Sequence, residues 1–143
     1  NIATRQRRQV IGRLGRRYPL NNIRIAEIPA LSPGSMILLL AEFEKSQVCY
    51  FALGEKGKSA DKVADEAIAE FEAYIATEGV IDPYLADQKL LQLAFADGPS
   101  IFITSQVTSH LVTNAEVIQA FLPIAIDISA KIGQAGTVKV TPQ

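Results

Sequence analysis

Apolar and polar positions along the 143 residues alternate in short blocks whose period changes several times. Over residues 2–18, Val10, Ile11, Leu14 and Tyr18 recur at helical spacing with arginines on the other sides, which predicts a helix. Gly12 and Gly15 each weaken it by about 1 kcal/mol relative to alanine, and Tyr18-Pro19 ends it. Residues 23–28 alternate apolar with polar, a strand pattern, and Ser32-Pro33-Gly34 is a turn. Residues 36–43 predict a buried strand, and residues 47–53 its antiparallel return across the polar turn 44–46. Cys49 lies inside this apolar run and is expected in the core.

Residues 54–58 hold two glycines and two lysines without the spacing of a Walker motif, and read as a turn. Ser59 is placed to cap a helix, with Asp61 in its first turn. Ala60, Val63, Ala64, Ala67, Ile68, Phe71, Tyr74 and Ile75 then form one apolar stripe, with Asp65, Glu66, Glu70 and Glu72 on the solvated face; Gly79 is expected to end this helix. Asp82-Pro83 predicts another start, carboxylate at the cap and proline at the first helical position. That helix runs through Leu85, Leu90, Leu91, Leu93 and Ala94 to the stop at Asp97-Gly98-Pro99. A short strand follows at 101–104, a helix capped by Asn114 over 115–121, and strands at 124–128 and 137–140. The fold class is α+β: two small α/β sandwich-like units. Residues 1–78 run helix-strand-strand-strand-helix, and residues 79–143 run helix-strand-helix-strand-strand.

Composition narrows the function classes. The hydrophobic share of 48% supports a packed core and excludes wholesale disorder. The longest purely apolar run is six residues, 36–41, against the roughly 20 of a membrane helix. A single cysteine excludes an intrachain disulfide framework and a cysteine-based zinc site. No secretory signal is visible, so a cytoplasmic location is expected. The net charge of −1 conceals a split. All seven arginines (Arg5, Arg7, Arg8, Arg13, Arg16, Arg17, Arg24) precede the first acid, Glu27, so residues 1–26 carry +7. The remainder sets seven lysines against fifteen acids, a net −8. Such asymmetry marks either a nucleic-acid face or the solvated side of a helix beside an acidic surface.

Two segments could carry chemistry. His110, the only histidine, lies between a strand end and a helix start, where unpaired amides and the helix dipole attract phosphate. A neutral imidazole is a competent nucleophile toward phosphorus near pH 7; the alternative is a surface or capping histidine. With no second histidine or nearby cysteine, a metal role is disfavoured. Tyr84, Leu85, Ala86, Asp87 and Gln88 occupy the first turns of the Asp82-capped helix, Tyr84 and Gln88 sharing a face. A tyrosine, a carboxylate and an amide could stack on and hydrogen-bond a nucleobase or ribose, or simply be helix surface. Asp82, Asp87 and Asp97 have cap or turn explanations, and no spacing sets them opposite one another as a catalytic pair.

Taken together, the Tyr-Leu-Ala-Asp-Gln run at 84–88, Gly98-Pro99, and His110-Leu111-Val112-Thr113-Asn114 followed by Phe121-Leu122-Pro123 resemble the C-terminal part of the RNA 3′-terminal phosphate cyclases. The 54–60 loop before its amphipathic helix and the Ile2-Ala3-Thr4-Arg5-Gln6 opening are similar to that family too. The resemblance implies that His110 attacks ATP to form a covalent histidine–AMP, which passes AMP to an RNA 3′-phosphate. The neighbouring 2′-hydroxyl then displaces AMP and leaves a 2′,3′-cyclic phosphate. It further implies that Tyr84, Leu85, Ala86, Asp87 and Gln88 line the adenylate site, while Asn114 serves capping and orientation. ATP and Mg²⁺ or another divalent metal are the implied cofactors, and RNA 3′-phosphate ends the implied partner.

The family fold repeats a βαβαββ unit three times with a smaller inserted α/β domain. On that plan residues 1–78 are most of the insert, and residues 79–143 most of the last repeat, lacking its first strand. The chain departs from the family in having no N-terminal half, so it is expected to be a catalytically incomplete fragment. Open sheet edges make a strand-mediated homodimer an expectation as well. Three other readings compete. A cyclase-like protein of ribosome biogenesis would lack the histidine. A stand-alone RNA-binding module would use the arginine helix, and a transferase of the enolpyruvyl type shares only the architecture.

Overall fold

The computed structural model describes residues 1–142, which divide into two compact units, the first ending at residue 73 and the second beginning at residue 74. This division falls five residues before the boundary read from the sequence.

In the first unit, α1 (Ile2–Leu14) is capped by Asn1, whose Oδ1 accepts the Ala3 amide at 2.9 Å. Its buried stripe is Gln6, Val10 and Leu14. The helix stops at Leu14, four residues short of the predicted end, with Gly15 as C-cap. Strands β1 (Ser35–Glu42) and β2 (Gln47–Gly54) form an antiparallel hairpin in which Leu38 faces Phe51 and Leu40 faces Cys49. Its inner face, with Ile37, Leu39 and Ala52, packs against Val63 and Ala67 of α2 (Ala60–Ile75). Ser59 caps α2, accepting the Lys62 amide at 3.2 Å.

Three expectations fail in this unit. Residues 23–28 form no strand, and Ile23, Ile25 and Ile28 are exposed. Alternation alone cannot hold a strand that has no partner edge, and among the described residues β1 and β2 pair only with each other. The run 36–43 is covered on one face only: Met36, Leu38, Leu40, Phe51 and Leu53 stand exposed on the other. Cys49 shares that open face instead of joining the core.

In the second unit, α3 (Pro83–Ala94) and α4 (Ser109–Phe121) pack together against a three-stranded sheet. Strand β5 (Gly136–Pro142) runs antiparallel between β3 (Ser100–Thr104) and β4 (Ile124–Ile128). Ala86, Leu90, Val107, Leu111, Val138 and Val140 are fully buried between the layers. At the free edge of β3, Ile81 bridges Thr104 in parallel. The Val80 and Ile81 amides donate to the Ile103 carbonyl, and the Ser105 amide donates to Ile81. A stub of two residues therefore occupies the first-strand position, giving the order β-α-β-α-β-β. Gly79 makes the stub possible, since a Cβ there would lie 2.3 Å from the Ser105 nitrogen. It does not terminate α2, which ends at Ile75.

Helix α4 begins six residues before its predicted start. Thr108, not Asn114, is the N-cap: its Oγ1 accepts the Leu111 amide at 3.0 Å. Asn114 lies exposed inside the helix. Among the described residues no helix is long and apolar enough to cross a membrane.

Candidate active site

The parallel stub and β3 place the starts of both helices at one end of the second unit. Helix α3 leaves directly from the stub, two residues beyond Ile81, and α4 starts five residues beyond Thr104, the bridge partner of Ile81. Crevices beyond the carboxyl ends of parallel strands, flanked by helix N-termini, suit anionic ligands. The sequence segments around Tyr84 and His110, separated by about two dozen residues, thus meet at the same edge.

Each helix start is held by its own cap. Asp82 Oδ1 accepts the Tyr84 amide at 2.9 Å and the Leu85 amide at 3.0 Å, so the cap itself occupies these two open donors of α3. In α4, Thr108 takes the Leu111 amide, leaving those of Ser109 and His110 without an intrahelical acceptor. His110, the second residue of the helix, is exposed. Its ring is therefore accessible beside backbone donors that favour negative charge.

The five residues of the 84–88 segment separate by face. Tyr84 is 62% exposed, and Gln88, one turn on, is exposed beside it. Leu85 is partly exposed. Ala86 turns inward to the core at 0% exposure, so its side chain packs and cannot line a surface site. Asp87 is half-buried, and its Oδ1 is shielded from solvent without a hydrogen-bond partner among the described residues. A buried carboxylate oxygen lacking a donor is costly, and a ligand hydroxyl or amine would satisfy it. Sequence reading placed Asp87 on the right helix, but only the packing shows that this oxygen is unpaired. Thr108 it missed; the Thr-Ser pair ahead of the Leu111, Ala115, Ile118 stripe was the available signal.

Among the described residues no group of three or more histidine, cysteine, aspartate or glutamate side chains is placed to hold a metal ion. The unit is acidic, with three lysines against six acids over residues 74–143.

Residues 9–128 match the family described as RNA 3′-terminal phosphate cyclase. The RNA 3′-terminal phosphate cyclase of Methanopyrus kandleri is 42% identical over 116 residues, covering 80% of this chain and 33% of that protein. The one from Thermococcus onnurineus is 33% identical over 141 residues, 98% of this chain and 41% of that protein. The one from Salmonella enteritidis is 36% identical over 98 residues, 68% of this chain and 29% of its own length. The chain thus spans between 29% and 41% of the length of these relatives. With most of its residues matched by that family and relatives of this identity, the chain belongs to the RNA 3′-terminal phosphate cyclase family.

Proposed function

We propose that these residues form the C-terminal portion of an ATP-dependent enzyme that converts an RNA 3′-phosphate to a 2′,3′-cyclic phosphate. His110 is the nucleophile. Its unprotonated ring nitrogen attacks the α-phosphorus of ATP, forming a nitrogen–phosphorus bond as pyrophosphate leaves. An oxygen of the RNA 3′-phosphate then takes the adenylyl group, breaking that bond and restoring the imidazole. The adjacent 2′-hydroxyl attacks the activated phosphorus, losing its proton, and AMP departs. Splitting the reaction in this way turns a poor phosphate oxygen leaving group into AMP.

One observation carries the reading: the accessible His110 and the Tyr84, Asp87 and Gln88 face stand at the same end of one sheet. Tyr84 offers a ring for stacking, Gln88 an amide, and Asp87 an unsatisfied acceptor for an adenosine hydroxyl or amine. The first unit corresponds to the family's inserted domain and the second to its last repeat. The acidic second unit has few cations to set against a triphosphate, so the residues that neutralise it, and those that hold Mg²⁺, lie outside this chain. The 143 residues alone are then inactive, and the working protein is cytoplasmic, in keeping with soluble ATP and RNA substrates.

The test grafts these residues onto the Methanopyrus kandleri relative in place of its matching segment. The graft is expected to acquire an acid-labile, alkali-stable AMP label from α-labelled ATP and to cyclise RNA 3′-phosphate ends. His110→Ala should abolish both. Retention of the label by His110→Ala, or strong labelling of the isolated chain, would overturn the proposal.

A further inference from the structure

Six of the seven arginines of the first unit do two different jobs; the seventh, Arg24, donates its Nε–H to Asn22 Oδ1. Arg5 pairs with Asp61 at 3.1 Å, Arg13 with Asp65 at 3.1 Å and Glu72 at 3.3 Å, and Arg17 with Glu72. These three guanidiniums, together with Gln9 on Asp65, are the packing seam between α1 and α2. They account for the reading of the basic helix as a neighbour to an acidic surface. Arg7, Arg8 and Arg16 are different: all are exposed, and none makes an ion pair or hydrogen bond among the described residues.

Their placement is ordered. Arg8 and Gly12 lie one turn apart on one side of α1, and Arg16 follows at the same interval in the turn just past the helix end. That side lies opposite the buried stripe of Gln6, Val10 and Leu14, and Arg7 stands on the flank turned away from α2. Residues 2–18 contain no acid, so the field on this side has one sign. Gly12 sits at its centre. A Cβ at Gly12 would meet nothing within 4 Å, and its backbone is ordinary helix, so neither internal packing nor a positive φ requires glycine there. A bare helix backbone between two guanidiniums lets an external chain approach closely.

The choice of cation points the same way. Every basic residue up to position 26 is arginine, and every one beyond it is lysine. Solubility alone is served by lysine, whereas the planar guanidinium fork matches carboxylate and phosphate oxygens two at a time. Inside the unit the fork meets the α2 carboxylates; the Arg7, Arg8 and Arg16 forks meet no acceptor among the described residues of that unit.

We propose that the solvent-facing side of α1 and the turn after it, with Arg8 and Arg16 before and after the bare backbone at Gly12 and Arg7 on the adjoining flank, dock the sugar–phosphate backbone of single-stranded RNA. The naming of RNA as the polyanion rests on the cyclase reading, in which an RNA end is the substrate. The contact is to phosphates and is indifferent to base sequence.

Fluorescence anisotropy of a short labelled RNA, titrated with the 143-residue chain over a range of salt concentrations, tests this. It needs no nucleotide and no adenylyl transfer, so its result is independent of whether His110 is the nucleophile. Replacing Arg7, Arg8 and Arg16 together by Gln is expected to weaken binding by about tenfold or more at low salt. It should also flatten the log–log salt dependence by about 2, as expected for three lost phosphate contacts on a single strand. RNA ending in a 3′-hydroxyl should bind as well as RNA ending in a 3′-phosphate. Gly12→Leu gives an independent check, since it should raise the melting temperature of the helix while weakening RNA binding. Unchanged affinity in the triple variant, strict dependence on the 3′-phosphate, or undiminished binding by Gly12→Leu would overturn the proposal. So would displacement by poly-glutamate as effective as by unlabelled RNA, which would mark a carboxylate-bearing protein partner instead.

Discussion

The two units solve the same problem, a small sheet backed by two helices, with different means. The second unit closes its core: ten residues from both helices, two strands and a loop lie buried between its layers. The first unit covers one face of its hairpin and leaves the other bare, and ties α1 to α2 through ion pairs at partly exposed positions. Buried apolar area is the stronger of the two devices, because exposed ion pairs contribute about 0–1 kcal/mol each. The difference suits the division of labour. On the proposed reading, His110 and the Tyr84 face need a rigid frame at the end of the second sheet, whereas the first unit presents surfaces, one apolar and one cationic.

The contrast is broken most directly by truncating one leucine in each unit. Leu90 is fully buried in α3, and Leu90→Ala is expected to cost about 2–5 kcal/mol. Leu38, on the open face of β1 at 54% exposure, should cost within about 0.5 kcal/mol when replaced by alanine. Hydrogen exchange resolved by peptide measures both. Comparable losses at the two positions would mean that the open hairpin face is covered in solution.

A smaller effect tests the first-strand stub. Gly79→Ala forces a methyl group against the Ser105 backbone and should cost about 1–3 kcal/mol. The loss should fall on the amides of Val80, Ile81 and Ser105, which make the parallel bridge. Because the stub aims α3, the same change should also displace Tyr84 relative to His110, and nucleotide binding by the grafted enzyme should fall with it.

Caps rank next. Asp82 holds two amides at the start of the helix that carries Tyr84 and Gln88, while Asn1 holds one at the start of α1. Asp82→Ala is expected to lose about 1 kcal/mol in the second unit. Asn1→Ala should lose less in the first, because its side chain satisfies one amide where Asp82 satisfies two. Chemical denaturation of the two variants in parallel checks the order.

What could be read from the sequence tracks how local the determining physics is. Helices α2 and α3 were legible because stripe and cap agree: Ser59 before Ala60, Asp82 before Pro83. That agreement also put Tyr84, Asp87 and Gln88 on the correct helix turns. The start of α4 was hidden by Val112 and Thr113, β-branched residues that locally argue for a strand; burial of Leu111 and Ala115 on the sheet overrides them. Residues 23–28 failed in the opposite direction, since alternation describes a surface and says nothing of a partner strand. The hairpin misled because apolar residues on both faces imply cover on both, and cover is a property of neighbours. The stub at Val80 and Ile81 is too short to show any periodicity; only its pairing with β3 reveals it. Asp87 Oδ1 and the inward turn of Ala86 likewise depend on how α3 packs, which no local pattern encodes.

The smallest effect bears on the seam between α1 and α2. Arg13 reaches both Asp65 and Glu72, and Glu72 also receives Arg17, so the charges form a short network. The Arg13 side chain is 48% exposed, and solvent screens much of the attraction. Arg13→Gln should therefore cost no more than about 1 kcal/mol in dilute buffer. The deficit should shrink as salt rises toward 1 M, where the screening length falls to about 3 Å. Arg8→Gln, which removes a guanidinium with no internal partner, should leave stability unchanged at every salt concentration. Thermal melts of the two variants across a salt series separate arginines that hold the helix from arginines that face outward. A salt-dependent loss in Arg8→Gln would place Arg8 in the seam and erase the distinction between the two sets.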